Sequence, residues 1–384
     1  MSTSVYLALK EVWRNRVRYL LISLVIALIT LLVLFNAALG EGLGTNNRQY
    51  ISKLDAQLIV FLDKADYLIG SSRLDSQTLR AVRRVDGVAD AGPISTSSTA
   101  IMLDGGKVLK VSLLGVEPGR PGMPHVVEGN GFRTAQGKEA VIDRNIALRS
   151  DIRVGDEITI RSTQGTEDEF FTLEVIGLTE GQAYFFQPAL FVTPAVWETV
   201  RPKPEAELNK TVADINVIAV KLENPAAAAE MSESLTARVS NIQVADLPTT
   251  INNIPGYTAQ QGTVQTMTIF TLLIGILVIG GFFQIQVLQK VAQIGVLKAI
   301  GSSNRVVGSA AVIQIMLVTA LGVAIGGFFT FIFSLFFPPT VPIVFNGSAS
   351  AVAVLALLLI GPLGGLVSVI YAVLIEPLRA LRLT

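Results

Sequence analysis

The stretch QKVAQIGVLKAIGSSNRVVGSAAVIQ, residues 289–314, separates two long apolar segments of the chain. It contains no acidic residue and three basic ones, Lys290, Lys298 and Arg305. A short basic stretch between two apolar segments is typical of a loop at a membrane surface. The stretch therefore predicts a protein whose helices cross a membrane on either side of this loop.

The composition supports a membrane protein. Of 384 residues, 51% are hydrophobic and 16% are charged, whereas soluble domains carry about 25% charged residues. Residues 306–375 form a run of 70 without a formal charge. Because no soluble surface can be built from such a run, we expect it to lie largely in a bilayer.

Several chemistries are excluded by residue counts. The chain has no cysteine and one histidine, His125, which excludes disulfides, thiolate metal sites and multi-histidine metal centres. The pair Gly137–Lys138 is followed by Glu139 and so lacks the hydroxyl of a phosphate-binding loop. We predict no metal and no catalytic residue, and expect any ATP to be hydrolysed by another chain.

Four segments are long and apolar enough to span a membrane as helices. The first, 19–40, has 22 uncharged residues, which as a helix extend about 33 Å, against a hydrocarbon core of roughly 30 Å. Its length favours a signal anchor over a cleaved signal peptide. The other predicted spans are 266–289, 307–337 and 351–375.

The positions of lysine and arginine predict the orientation. The segments 1–18, 290–306 and 376–384 hold nine basic and two acidic residues, whereas 41–265 holds 21 basic and 28 acidic residues. The positive-inside rule therefore places both termini and 290–306 in the cytoplasm. Region 41–265 and the short loop 338–350 are expected on the outer face of the cytoplasmic membrane.

Region 41–265 is large enough for its own core. Alternating apolar runs predict strands at 55–62, 107–116, 156–163, 170–179 and 215–222. Helices are predicted at 75–85, with Asp75 as N-cap, and at 224–240. The predicted fold is an α-helical membrane domain of four spans with an extracytoplasmic α+β domain inserted between spans 1 and 2.

Several motifs resemble those of the FtsX/MacB-like ABC transporter permeases. The pattern "IG-L-A-G" followed by a basic residue matches Ile294, Gly295, Leu297, Ala299, Gly301 and Arg305. The ending 375–382 resembles the family's closing Pro-x-x-Ala-Leu-Arg, and 111–119 and 139–160 resemble segments of its outer domains. The resemblance covers the whole chain and implies the layout already predicted from hydropathy.

The resemblance implies that 290–306 forms a coupling helix on an ATP-binding subunit. Ile294, Leu297 and Ile300, at steps of three residues, are expected to form an apolar face. Alternatively, the segment is a plain interfacial loop that separates two spans. The implied contact residues are Gln293, Ile294, Gly295, Leu297, Lys298, Ile300, Gly301 and Arg305.

The implied assembly is a homodimer in the lipid bilayer with two ATPase subunits, which hold ATP and magnesium. No cofactor is expected in this chain, and no nucleic acid partner. Segment 1–18 is basic and contains Trp13. It is expected to be an amphipathic elbow helix at the inner leaflet, or an ordinary interfacial anchor.

The short chain resembles the smaller branch with DevC-like and HrtB-like permeases, which implies haem as a possible substrate. Tyrosine, methionine or a carboxylate can hold haem, and phenylalanine can stack on it. Five residues fit these roles: Glu41, Tyr257, Tyr184, Met267 and Phe35. Tyrosines at a membrane boundary are also ordinary belt residues, and His125 is expected to be a solvated loop residue.

Two other functions remain open at this stage. One is efflux of a lipid, peptide or drug, as in DevC-like and MacB-like permeases. The other is transmembrane signalling, without transport, to a cell-wall hydrolase or a sensor. Both use the same ATP-driven transmission of motion across the membrane.

Overall fold

The computed structural model describes residues 3–208, 215–337 and 341–375. The chain divides into two compact units, which we call the helical unit and the sheet unit. The helical unit comprises Met1–Gly42 and Gln261–Thr384, and the sheet unit comprises Leu43–Gln260. The predicted tail 376–384, with Glu376, lies outside the described residues, as do Pro338 and Pro339.

Helices and strands follow one another along the chain. The helices are α1 (Thr3–Arg14), α2 (Arg16–Ser52), α3 (Ser76–Val82), α4 (Arg144–Arg149), α5 (Pro194–Val200), α6 (Ala228–Arg238), α7 (Leu247–Asn252), α8 (Tyr257–Gln289), α9 (Val291–Ala299), α10 (Asn304–Ser334) and α11 (Gly347–Leu374). The strands are β1 (Leu58–Leu62), β2 (Val88–Met102), β3 (Val108–Val116), β4 (Val126–Gly129), β5 (Glu139–Asp143), β6 (Glu157–Gln164), β7 (Glu167–Thr179), β8 (Ala189–Val192), β9 (Val217–Leu222) and β10 (Ile242–Asp246).

Four helices are long and apolar enough to cross a membrane, namely α2, α8, α10 and α11, as the hydropathy predicts. Two of them extend well beyond the predicted spans. Helix α2 has 37 residues and α8 has 33, so both continue into the sheet unit. Helix α10 ends at Ser334, before the predicted end of the third span.

The core of the helical unit lies among the four long helices. Tyr19, Ile26, Phe283, Ile315 and Leu357 are buried there together. The surface facing away from this core is apolar, with large side chains such as those of Leu28, Phe331 and Leu363 exposed. Exposure of so large an apolar surface to water is unfavourable, whereas the acyl chains of a bilayer can cover it.

The sheet unit is built on one sheet of ten strands. Its order is β10-β1-β9-β2-β3-β8-β5-β7-β4, and β6 pairs with both β2 and β7. Most neighbours are antiparallel, whereas β3 with β8 and β5 with β7 are parallel. With its short helices, this is the α+β architecture that the sequence predicts.

The five predicted strands of this unit correspond to β1, β3, β6, β7 and β9, with ends that differ by a few residues. Asp75 caps α3, because its side chain accepts a hydrogen bond of 2.7 Å from the amide of Thr78. The predicted helix at 224–240 begins as a single 3-10 turn, Pro225–Ala227, before α6. Five strands, β2, β4, β5, β8 and β10, were not anticipated from the sequence.

Candidate functional site

Helix α9 is a separate short helix between α8 and α10. Lys290, with φ −108° and ψ 8°, interrupts the helical run between α8 and α9. Just after the C-terminal end of α9, Gly301 has φ +99°, a conformation that favours glycine. The amides of Gly301 and Ser302 donate to the carbonyls of Lys298 and Leu297, respectively. This closing pattern satisfies carbonyls that would otherwise lack partners.

The two faces of α9 have different surroundings. Ile294 and Leu297 pack against a small core made by Val287, Val307, Ala372 and Ile375. Gly295 is buried. The side chains of Val296 and Ile300 point outward and are 48% and 78% exposed, with the exposed Gln293 beside them. The expectation that Ile294, Leu297 and Ile300 form one apolar face is wrong, because Ile294 and Leu297 pack inward and Ile300 is exposed.

The basic residues of this segment also have different partners. The ammonium of Lys298 donates to the carbonyl oxygens of Val373 and Ile375, at 2.5 and 3.0 Å. Lys298 thus caps the C-terminus of α11, where carbonyls lack helical partners and the helix dipole favours a cation. Arg305 lies exposed in the first turn of α10. Only Arg305 of this pair points away from the unit.

The outward face of α9 was incompletely predicted. Val296 was missed, although it lies four residues before Ile300 and therefore on the same side of a helix. The spacing of Val296 and Ile300 was a usable signal. Gln293, Val296, Ile300 and, at the start of α10, Arg305 are each exposed, and we call these four residues the outward face.

Two of the five predicted substrate residues, Tyr184 and Tyr257, belong to the sheet unit, and the side chains of both are buried. Tyr184 stands in the core beside Tyr50, with ring centroids 6.3 Å apart. Burial raises the pKa of the Tyr184 phenol well above its ordinary value. Because the phenolate is the form that binds ferric iron, this burial disfavours Tyr184 as a ligand in the conformation seen here.

The turn that follows Tyr184 is strained and apolar. Phe185 and Phe186 both have positive φ, +50° and +62°, and both rings are exposed. Their amides donate to the carbonyls of Asn47 and Asn46, near the end of α2. Positive φ is costly for side chains of this size and persists only where the surroundings enforce it. The hydrogen bonds to α2 provide that constraint.

The other three predicted substrate residues, Phe35, Glu41 and Met267, lie in the helical unit. Phe35 packs against Phe337 with ring centroids 5.7 Å apart. Glu41 is half-buried near the outer end of this part of α2. The side chain of Met267, on α8, is 52% exposed. His125 is exposed, as expected for a solvated loop residue, and lines a cavity of about 440 Å³ in the sheet unit.

Comparisons with known proteins define the class. Residues 19–238 match the MacB-like periplasmic core domain, and residues 266–377 match the FtsX-like permease C-terminal domain. The chain therefore belongs to the FtsX/MacB-like ABC transporter permeases, membrane subunits that work with a separate ATPase subunit. Its sheet unit is the extracytoplasmic domain of such a permease.

Relatives that match over almost the whole chain include permeases named for hemin transport. A protein of Staphylococcus haemolyticus named as a hemin transport system permease protein, HrtB, is 25% identical over 381 residues, 98% of each chain. Its namesake in Staphylococcus epidermidis is 21% identical over 378 residues, again 98% of each chain. The solved extracellular domain of the ABC-type transporter YknZ aligns with 49% of this chain and 99% of its own length, at 16% identity and a TM-score of 0.34.

Proposed function

We propose that this chain is the permease subunit of an exporter that removes haem from the membrane. Two copies pair, both termini face the cytoplasm, and two ATPase subunits dock on residues 290–306. The observation that supports this proposal is the likeness, from end to end, to permeases named for hemin transport. Haem is planar and largely apolar, so a membrane-embedded route suits it.

The ATPase contact is assigned to the outward face. Val296 and Ile300 supply exposed apolar anchors, and Gln293 and Arg305 supply polar flanks. Interfaces commonly combine such an apolar centre with a polar rim. The other implied coupling residues, Ile294, Gly295, Leu297, Lys298 and Gly301, hold α9 in place. ATP-driven motion of the ATPase is thus received by α9 and passed to the spans.

The substrate contact is assigned first to the helical unit. Met267 offers an exposed thioether and Glu41 a half-buried carboxylate, and both groups can interact with haem. Phe35 offers an aromatic ring for stacking. Tyr184 and Tyr257 are buried, so they contribute only if a change of conformation exposes them.

The test is a haem titration of the purified permease assembled with its ATPase, with absorbance and ATP turnover followed together. We expect saturable binding, a shifted Soret band and a change in ATP turnover. Replacement of Met267 by alanine is expected to weaken binding by up to about tenfold, the upper end of the roughly 0.3–1.5 kcal/mol of a sulfur contact with an aromatic ring.

The matched control is Met316→Ala. Met316 is also a methionine of a spanning helix, and its side chain is 54% exposed, but it is not among the predicted contacts. Equal loss in both variants would remove Met267 from the site. No haem binding by the wild-type assembly would overturn the haem proposal and favour efflux of a lipid, peptide or drug.

A further inference from the structure

A polar cluster lies inside the helical unit, close to the start of α9. The ammonium of Lys290 contacts one carboxylate oxygen of Glu11 and donates to the Tyr19 hydroxyl oxygen at 3.2 Å. The amide nitrogen of Gln314 donates to the second carboxylate oxygen of Glu11. Gln286 donates to Tyr19, and the Tyr19 hydroxyl donates to Gln314 at 3.5 Å. We call these five residues the Glu11–Lys290 cluster.

The cluster joins the first two helices of the chain to two helices more than 200 residues further along. Glu11 comes from α1, Tyr19 from α2, Gln286 from α8 and Gln314 from α10, while Lys290 immediately precedes α9. Glu11 and Lys290 are 279 positions apart. Each member satisfies hydrogen-bonding groups of another, as polar groups in an apolar environment require.

The ion pair in this cluster is not a surface salt bridge. The side chains of Lys290 and Glu11 are 16% and 30% exposed, respectively. They border a cavity of about 120 Å³ whose walls are mainly apolar, with Phe283 and Ile315 among them. Burial lowers the pKa of Lys290 to about 8. Loss of Glu11 would leave a partly buried cation without a counter-charge, which is more costly than loss of a fully solvated pair.

Helix α9 is therefore held at two points. Lys290 ties its start to α1 through Glu11, and Lys298, near its end, caps α11. These links leave the outward face free while fixing the opposite side. A push on the outward face would be transmitted through both links.

We propose that Glu11 and Lys290 are positioning residues that make α1 and α9 move as one body when the ATPase acts on the permease. This inference rests on the proposed docking of the ATPase at α9. The motion reaches α10 through Gln314 and α2 through Tyr19. Loss of the pair is expected to leave ATPase binding in place and to weaken the transmission of motion.

The first test removes and then restores the charge pair. Glu11→Gln and Lys290→Gln are each expected to reduce permease-dependent ATP turnover by at least about fivefold, within the usual range of coupling between sites. The exchange of both charges, Glu11→Lys with Lys290→Glu, is expected to recover much of that loss. Lys10→Gln, which removes an exposed charge next to Glu11, is the matched control and should keep wild-type turnover.

Three results bear directly on the inference. Recovery in the exchange variant supports it when the single variants keep the wild-type thermal unfolding midpoint and still bind the ATPase, because the loss then lies in coupling and depends on the charge pair. Full turnover in either single variant would overturn it. Equal loss in the exchange variant, with the assembly still intact by size, would also overturn it.

The second test uses a cross-link. Since the chain contains no cysteine, Glu11→Cys with Lys290→Cys gives two unique thiols that a short bis-maleimide can join. If α1 and α9 move together, the joined permease should show higher coupled turnover than the unjoined double variant. If the cross-link instead abolishes the remaining turnover, α1 and α9 must separate during the cycle, and the inference is wrong.

These tests are distinct from that of the proposed function. If the ATPase does not bind the wild-type permease, the proposed docking fails before any variant is compared. If the wild-type assembly is coupled and the Glu11 and Lys290 variants behave like it, only the positioning role fails. ATP turnover is measured without haem, so the identity of the substrate does not affect either result.

Discussion

Ile300 has an unusual environment for a large apolar residue. Its side chain is 78% exposed, just before the left-handed Gly301, at the end of α9 rather than in the middle of a span. Exposed apolar side chains on the spanning helices can be covered by lipid. Ile300 lies in the connection between two spans, where a protein partner covers an apolar side chain better than water does.

Replacement of Ile300 by aspartate is expected to abolish most permease-dependent ATP turnover. The change places a charge at the centre of the proposed contact and removes an apolar anchor, at a cost of about 2 kcal/mol or more in ATPase binding. The measurement is ATP turnover against ATPase concentration, with membrane insertion checked by fractionation. Ile300→Leu, which keeps apolar bulk, should retain activity. Wild-type turnover in the aspartate variant would contradict the assignment of the outward face.

The orientation of α9 could not be predicted from its sequence. The helix reads VAQIGVLKA, with apolar residues on almost every side, so no single apolar stripe selects the inward face. The inward face is chosen by α8, α10 and α11, which bring Val287, Val307 and Ala372 against Ile294 and Leu297. The role of Lys298 could not be predicted either, because the carbonyl groups that accept its hydrogen bonds are about 75 positions further along the chain.

Close contact between α8 and α11 depends on glycine. A Cβ atom added at Gly364 would lie 2.6 Å from the carbonyl oxygen of Ile276, and one added at Gly280 would lie 2.6 Å from the carbonyl oxygen of Gly364. Backbones this close leave no room for a side chain on either helix.

Gly364→Ala is expected to destabilise the permease by about 1–3 kcal/mol, since an extra carbon in a tight contact forces the backbones apart. The measurement is the thermal unfolding midpoint of the purified protein in detergent. Gly281→Ala is the matched control, because a Cβ there meets no atom within 4 Å. A midpoint for Gly364→Ala equal to that of Gly281→Ala would contradict the contact between α8 and α11.

Among the elements, long helices were easier to predict than short strands. Length and hydropathy suffice for a span, because a bilayer imposes both. Strands β5 and β8, of five and four residues, are wholly buried and carry no alternation that would mark them. Strand β2 is long but includes the polar run STSST and Pro93, which in isolation resemble a loop. Pairing with β3, β6 and β9 makes it a strand.

The candidate substrate residues were predicted by residue type and by nearness to a span end. Of the residues chosen in this way, Met267 is exposed and Glu41 is half-buried. It could not detect that the tertiary structure buries Tyr184 in the core with Tyr50 and Phe191. The Glu11–Lys290 cluster was missed too, since no local pattern joins residues from four helices.

At the scale of the whole molecule, the distribution of charge and the division into units are closely related. The segments predicted to be cytoplasmic carry seven more basic than acidic residues, and region 41–265 carries seven more acidic than basic residues. The family membership makes the sheet unit extracytoplasmic. Since that unit is inserted between two spans, α1 and α9 should lie together on the opposite side of the membrane, where an ATPase can reach them.

This orientation can be measured because the natural chain has no cysteine. We expect Asp104→Cys, in an exposed turn of the sheet unit, to react with a membrane-impermeant maleimide in intact cells. Arg16→Cys, exposed where α1 meets α2, should react only after the membrane is opened. Lysine and arginine near span ends favour the cytoplasm, and Lys10, Arg14 and Arg18 remain in the Arg16→Cys variant, so we expect it to keep this orientation. Labelling of Arg16→Cys in intact cells would show that the orientation is the opposite one. Helix α9 would then lie out of reach of a cytoplasmic ATPase.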